Sequence, residues 1–337
     1  MDLDDKTCQL TFDLKICKIL NGMWQVAGGH GDIDPESAIS EMFAYHDSGL
    51  TTWDMADIYG PAEEYLGEFR KRLEKQRGAD ETNKVQALTK FVPNPGPMTR
   101  QIVEHYIEQS IKKMNVKSID VLQFHWWDYN DTRYIDALHH LTKLCDEGKI
   151  RHLGLTNFDT DTIQIMVDQG FHPISNQVQY SIIDQRPQVK MVPFCKKNKM
   201  QLLTYGTLCG GFLSKKYLGK AEPARSEINT FSLQKYKNMI DAWGGWKLFQ
   251  ELLSVLDVIA TKHDSSIANV ATRYILDKPT VAGVIIGARL GISNNISDNL
   301  QVFSLHLDKE DDEKIKSITS KSKDLFVAIG DCGDEYR

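Results

Sequence analysis

The feature that most limits what this chain can fold into is an alternation. Short apolar or β-branched runs are each followed by a polar or Pro/Gly-rich loop and then by helical periodicity, without a break. The strand-like runs centre on Ile19, Thr52, Leu88, Leu122, Leu153, Ser175, Leu203 and Ile285. Between them lie helix stripes such as Ala38, Met42 and Tyr45, or Leu66, Phe69 and Leu73. Thr99 is placed to N-cap a helix carrying Val103, Ile107, Ile111 and Met114, and the stripe Ile135, Leu138, Leu141, Leu144 stops at Gly148. Eight βα units in one alternation predict a closed (β/α)8 TIM barrel rather than two Rossmann-like halves.

Thr11–Leu20 alternates apolar with polar residues, which predicts an N-terminal β-hairpin, and the first core strand is expected over Cys17–Val26. Gly28-Gly29-His30-Gly31 invites a dinucleotide fingerprint, but the last small residue is missing. Asp32, Asp34 and Glu36 would also repel a pyrophosphate. A plain loop leading to a helix capped at Asp34-Pro35 is expected instead. After the seventh strand the pattern breaks from Gly206 to Gly245 into a long loop, the kind that usually serves function. Helices are expected over Leu248–Lys262, Ser266–Leu276, Ser293–Phe303 and Lys309–Ser320, followed by a tail from about 321 to 337. That tail is expected to fold over the barrel mouth, its apolar group Leu325, Phe326, Val327 and Ile329 gaining by burial, whereas its acidic ending, Asp331 to Glu335, read alone suggests a frayed terminus. No composition shift divides the chain, so residues 1–337 read as a single domain.

Composition narrows the function. A net charge of −6, from 40 basic and 46 acidic residues, gives no electrostatic case for nucleic acid or an anionic membrane. Six scattered cysteines without a CxxC pair fit a reduced compartment better than a disulfide framework or a zinc site, and no metal is expected. No signal core or membrane-length apolar run is present, so a cytoplasmic protein is the default.

The polar residues at the strand ends carry the chemistry. TTWD ends on Asp54, VQALTK on Lys90 and IDVLQFH on His125; Asn157, Gln177, Tyr205 and Arg289 mark later ends. Tyr59 follows Asp54 in a short loop. Any one of these is commonplace: a lone lysine at a strand end is usually solvated, and a lone histidine is usually a satisfied core or loop residue. In a parallel barrel, however, all of them leave the same rim, where active sites are built.

The motifs GMWQV, WDMADIYGPAEEYLG, ALTK, IDVLQFHW, DEGKIRHLGLTNF, NQVQYSIID and VIIGAR occur in the order in which the aldo-keto reductases carry theirs. Over nearly its whole length the sequence resembles that superfamily. The resemblance implies a catalytic tetrad of Asp54, Tyr59, Lys90 and His125. Tyr59 would be the proton donor, with its pKa lowered by the Lys90 cation, which Asp54 would hold. His125 would hydrogen-bond and orient the substrate oxygen. Trp24 and Trp126, with Tyr59 and His125, would line the substrate cleft.

The resemblance also implies a nicotinamide cofactor, NADPH with NADH possible. Asn157 and Gln177 would hold its amide beside Thr156, and Tyr205 would stack on its ring. Thr207, Leu208 and the glycines after them would meet the pyrophosphate; Gly210-Gly211 read equally well as a turn. Gly22, Met23, Trp24 and Asp54 would complete the contacts. Arg289 suits a 2′-phosphate. This chain departs from many relatives there: a longer loop Leu290–Asn294 precedes Asn295, which carries no charge, and the closing pair is Asp298-Asn299. The leading expectation is a reductase of aldehydes or ketones. A sugar dehydrogenase working in the oxidising direction, or a cofactor-binding redox-sensing subunit, are the alternatives. A monomer acting on a small carbonyl compound or sugar is the default, with a dimer left open.

Overall fold

The computed structural model describes residues 3–28 and 33–337. Strands β1 (Thr7–Thr11) and β2 (Leu14–Cys17) pair antiparallel as the expected hairpin. Eight parallel strands then close a barrel: β3 (Ile19–Gly22), β4 (Thr52–Asp54), β5 (Gln86–Phe91), β6 (Ile119–Phe124), β7 (Ile150–Thr156), β8 (Ser175–Gln179), β9 (Gln201–Tyr205) and β10 (Val281–Gly287). Each strand pairs with its neighbours in sequence, and β10 closes the ring on β3. All eight expected strand centres fall in these strands.

The hairpin seals the N-terminal end of the barrel. Leu10, Leu14 and Ile16 pack with Leu20, Leu88, Val121, Leu203 and Ala282 in one apolar cluster. Asp13 at the hairpin turn pairs with His152 at 2.8 Å and with Arg151 at 3.2 Å, both on β7. With that end closed, the C-terminal rim is left as the open mouth. The larger cluster fills the layer between the strands and the outer helices, with Trp53, Phe69, Phe124 and Phe158 fully buried. Helix starts follow local capping: Asp34 accepts from Ser37 N ahead of Pro35, Thr99 from Ile102 N, Asp159 from Thr162 N and Ser266 from Asn269 N. The rejected glycine motif falls partly on residues 29–32, which lie outside the described residues.

Four expectations change. The first core strand ends at Gly22, and Trp24–Ala27 form a 3-10 turn instead of extending it. The long loop after β9 contains a full helix, Phe231–Trp243, capped by Thr230; the surrounding Gly, Lys and Ser hid its periodicity. The helix expected over Ser293–Phe303 is only Ile296–Gln301. In the tail, Leu325–Ile329 forms a short helix with Leu325 buried and Val327 83% exposed, so the expected burial of this apolar group is only partial. The tail does cross the mouth, through the polar segment after it.

Candidate active site

The centre of the mouth is a buried ion pair. Lys90, 4% exposed, donates to Asp54 Oδ2 at 2.7 Å and to the Met55 carbonyl at 2.8 Å. Asp54 Oδ1 accepts from Gln123 Nε2 at 2.8 Å and Gln177 Nε2 at 2.7 Å, and Gln177 Nε2 also donates to Gln123 Oε1 at 2.6 Å. Both carboxylate oxygens are therefore satisfied, which a buried charge requires. Gln123 was missed from the sequence. It lies two residues before His125 on β6, and with strand alternation that spacing points it into the same interior.

Tyr59 sits beside this pair, in the loop that turns after β4. Lys90 Nζ lies 4.9 Å from the centre of its ring, and the Trp24 ring meets it edge-on at 5.1 Å. The tyrosine's pKa is held well above its ordinary value, first by burial, then by the nearby Asp54 and Tyr336. The lowering expected from Lys90 is absent, because Asp54 neutralises that ammonium and desolvation of the phenolate dominates.

His125 continues the ladder one residue beyond β6, its N–H reaching the Phe91 carbonyl at 3.0 Å. Its Nδ1 stands 3.2 Å from the Thr156 carbonyl. A carbonyl can only accept, so Nδ1 carries the proton and Nε2 is left with a lone pair. Burial drives the ring pKa down to about 4, so the imidazole is neutral near pH 7. As it stands it is an acceptor, not a donor to a carbonyl oxygen. Trp127 packs edge-on against it at 4.5 Å and is half-exposed. Trp126, the expected wall, is 1% exposed, and its indole nitrogen donates to the Asp128 and Asp131 carbonyls.

Asn157 follows β7 with a φ of 58°, a left-handed conformation that Asn tolerates. Its Oδ1 accepts from Tyr205 Oη at 2.8 Å. Thr156 is buried, with its hydroxyl 3.4 Å from the Gln177 carbonyl. Thr207 is also buried, its hydroxyl donating to the Tyr180 carbonyl at 2.9 Å, so its side chain is not open to a phosphate. Leu208 is partly buried against the core. At Gly206 and Gly210 an added Cβ would meet the Tyr236 ring within 3 Å, so packing demands these two glycines, while Gly211 is open. Gly22, Met23 and Trp24 line the rim opposite, with Met23 N bonded to the Asp54 carbonyl at 2.9 Å. Arg289 is exposed beyond β10, Asn295 is exposed, and Asn299 is buried.

The C-terminal segment crosses this mouth. Arg186, buried, is gripped by Asp184 through two hydrogen bonds, and it donates to Glu335 Oε2 at 3.0 Å and to the Asp331 carbonyl at 3.1 Å. Asp331 Oδ2 accepts from Thr160 N at 3.0 Å. Tyr336 brings its hydroxyl to 3.0 Å from that of Tyr205 and its ring to 6.4 Å from His125. Arg337 donates to the Trp126 carbonyl at 2.8 Å and lies 3.7 Å over the Tyr129 ring. The acidic ending, which in sequence looks like a frayed terminus, is thus the part that docks.

A closed barrel that gathers a carboxylate–ammonium pair, a phenol and a neutral imidazole at its mouth is the frame of an enzyme. The aldo/keto reductase family model matches residues 18–320. The chain is 26% identical over 310 residues to Aldo-keto reductase YhdN of Bacillus subtilis (strain 168), covering 88% of each. It is 23% identical over 321 residues to an NADH-specific methylglyoxal reductase of Escherichia coli (strain K12), covering 89% of this chain and 94% of that one. Among solved structures, a glycerol dehydrogenase from Gluconobacter oxydans superposes with a TM-score of 0.77 at 22% identity, covering 94% and 96%. The chain belongs to the aldo/keto reductase family, and so to the NAD(P)-dependent oxidoreductases.

Proposed function

We propose that this enzyme reduces an aldehyde or ketone to the alcohol, with Tyr59 as proton donor and NADPH as the preferred cofactor. The bound nicotinamide would supply the hydride. The observation that carries the reading is the state of Tyr59: a partly buried phenol kept protonated, against an Asp54–Lys90 pair without net charge and a neutral imidazole. A protonated phenol is the form that gives a proton to a developing alkoxide. The oxidising direction would need it ionised first, which burial opposes. His125 Nε2, as an acceptor, suits the hydroxyl hydrogen of the alcohol and would hold the oxygen beside Tyr59.

The amide residues fit the cofactor. Asn157 uses Oδ1 on Tyr205 and keeps Nδ2 as a donor; Gln177 uses Nε2 on Asp54 and Gln123 and keeps Oε1 as an acceptor. One donor and one acceptor are what a primary carboxamide asks for. Arg289 offers a guanidinium to a 2′-phosphate. The test is NADPH consumption with a panel of aldehydes and ketones, on wild type and Tyr59→Phe. The variant should lose ~10²-fold or more in rate, the usual worth of such a group, while still binding NADPH. Activity within about tenfold of wild type would remove Tyr59 from the mechanism.

A further inference from the structure

Three large aromatic residues at the mouth are only partly covered: Trp24 is 39% exposed, Trp127 38% and Tyr336 36%. Each touches a residue of the proposed chemistry, Trp24 the Tyr59 ring and the other two the His125 ring. They present flat apolar faces around the mouth. At its far side stands Lys235, from the helix inside the long loop. Its ammonium lies 4.3 Å from the centre of the Tyr336 ring, 5.1 Å from Tyr205 and 5.6 Å from Tyr236, and it donates to the Tyr336 hydroxyl.

Among the described residues Lys235 makes no ion pair. The carboxylate best placed to give one, Glu335, is otherwise engaged: Oε2 takes Arg186 and Gly333 N, and Oε1 faces Tyr205 Oη at 3.4 Å. Arg186, Asp331 and Glu335 tie the tail down by buried contacts, so Tyr336 is held in place beside His125. Of the other cations at the mouth, Lys90 is compensated by Asp54, Arg186 is held by Asp184 and Glu335, and Arg337 is turned onto the Trp126 carbonyl and the Tyr129 ring. A cation whose nearest carboxylate, Glu335, is shared with Arg186, and which stands on the ring that faces His125, is placed for a negative charge on something that enters at the mouth.

We propose that Lys235, held in place by the hydroxyl of Tyr336, selects carbonyl substrates that carry an anionic group, such as a carboxylate, across an apolar or aromatic body from the reacting carbon. This rests on the carbonyl-reductase reading. A matched pair of probes isolates the charge: 4-carboxybenzaldehyde and 4-nitrobenzaldehyde have nearly the same shape, and only the first is anionic.

Lys235→Gln should lower kcat/KM for 4-carboxybenzaldehyde ~10-fold or more, mostly through KM, the loss expected for one hydrogen bond to a charged group. The nitro compound should change little, and Lys235→Arg should retain most of the preference. Tyr336→Phe should show the same asymmetry more weakly. Equal effects on both aldehydes, or none, would overturn the assignment. So would a weakened NADPH affinity with the two aldehydes falling together, since Lys235 would then serve the cofactor's phosphates. Calorimetric binding of terephthalate to the NADPH-loaded enzyme, weaker in Lys235→Gln, tests the cation apart from turnover. If that binding held while wild type reduced no carbonyl, the reductase reading would fail and the anion site would stand.

Discussion

Gly333 rests directly on Asn157: a β-carbon added to Gly333 would stand 2.1 Å from the Asn157 carbonyl oxygen. The C-terminal segment therefore bears on the strand end that carries the proposed amide ligand, and a glycine lets it come that close. Its φ of 90° is also one that other residues rarely adopt.

Gly333→Ala is expected to lift the tail and disturb the site while leaving the barrel intact. KM for carbonyl substrates should rise about fivefold or more, since small misplacements in a site are costly. The melting temperature should move by only a few degrees, as for other changes at chain ends. Gly170→Ala is the control, because Gly170 has a φ of 87° with no atom within 4 Å of an added Cβ. Kinetics as normal in Gly333→Ala as in Gly170→Ala would show that the tail has no part in the site.

Lys90→Met should lose both activity and stability. Removing the ammonium leaves Asp54 charged and 3% exposed, with only the two glutamine amides as donors. Breaking a buried pair in this way typically costs about 3–5 kcal/mol. Neutralising the partner as well, in Asp54→Asn/Lys90→Met, should recover at least half of that loss in denaturant unfolding but none of the activity. A double variant no more stable than Lys90→Met would mean that the charge of Asp54 is not what the lysine compensates.

Arg289→Ala is expected to weaken NADPH much more than NADH, because only NADPH carries the phosphate that the guanidinium would hold. A loss of about tenfold or more against NADPH corresponds to one charge-assisted contact. Fluorescence titration with the two cofactors measures it. Equal losses for both would refute the phosphate role.

The barrel was legible in the sequence because its strands are short apolar runs separated by well-signed helix caps, as at Asp34, Thr99, Asp159 and Ser266. That Asp54, Lys90 and His125 would meet at one rim was legible because parallel strands deliver them there. What could not be read were properties of partners distant in the chain. Trp126 and Trp127 are adjacent and chemically identical, and only the fold buries one and opens the other. The raised pKa of Tyr59 follows from three-dimensional burial and from Asp54 cancelling Lys90, where local reasoning had weighed the cation alone. The docking of Glu335 depends on Arg186, and that of Arg337 on the Trp126 carbonyl; neither anchor lies near the tail in sequence. The apolar group argued for a docked tail and the acidic ending against it, and the acidic ending makes the contacts.

Two groups near the site should give stability opposite pH slopes. Burial lowers His125 from 6.5 to about 4. Between those values the unfolded chain holds a proton that the native chain does not, so stability falls as pH drops from about 6.5 towards 4. Asp57, in the loop between Asp54 and Tyr59, is raised from 3.8 to about 7, mainly by burial and despite hydrogen bonds from Val92 N. Here the native chain keeps a proton that the unfolded chain has lost, so stability falls as pH rises from about 4 to 7, and the penalty is complete above that. Each slope is at most about 1.4 kcal/mol per pH unit, so in wild type the two largely cancel. Single variants expose them. The melting-temperature difference between Asp57→Asn and wild type should grow in the variant's favour from pH 4 to 7 and then level off. That between His125→Gln and wild type should grow in the variant's favour as pH falls from 6.5 to 4. Differences flat across pH 4 to 7 in both variants would mean that neither group is desolvated as its burial implies.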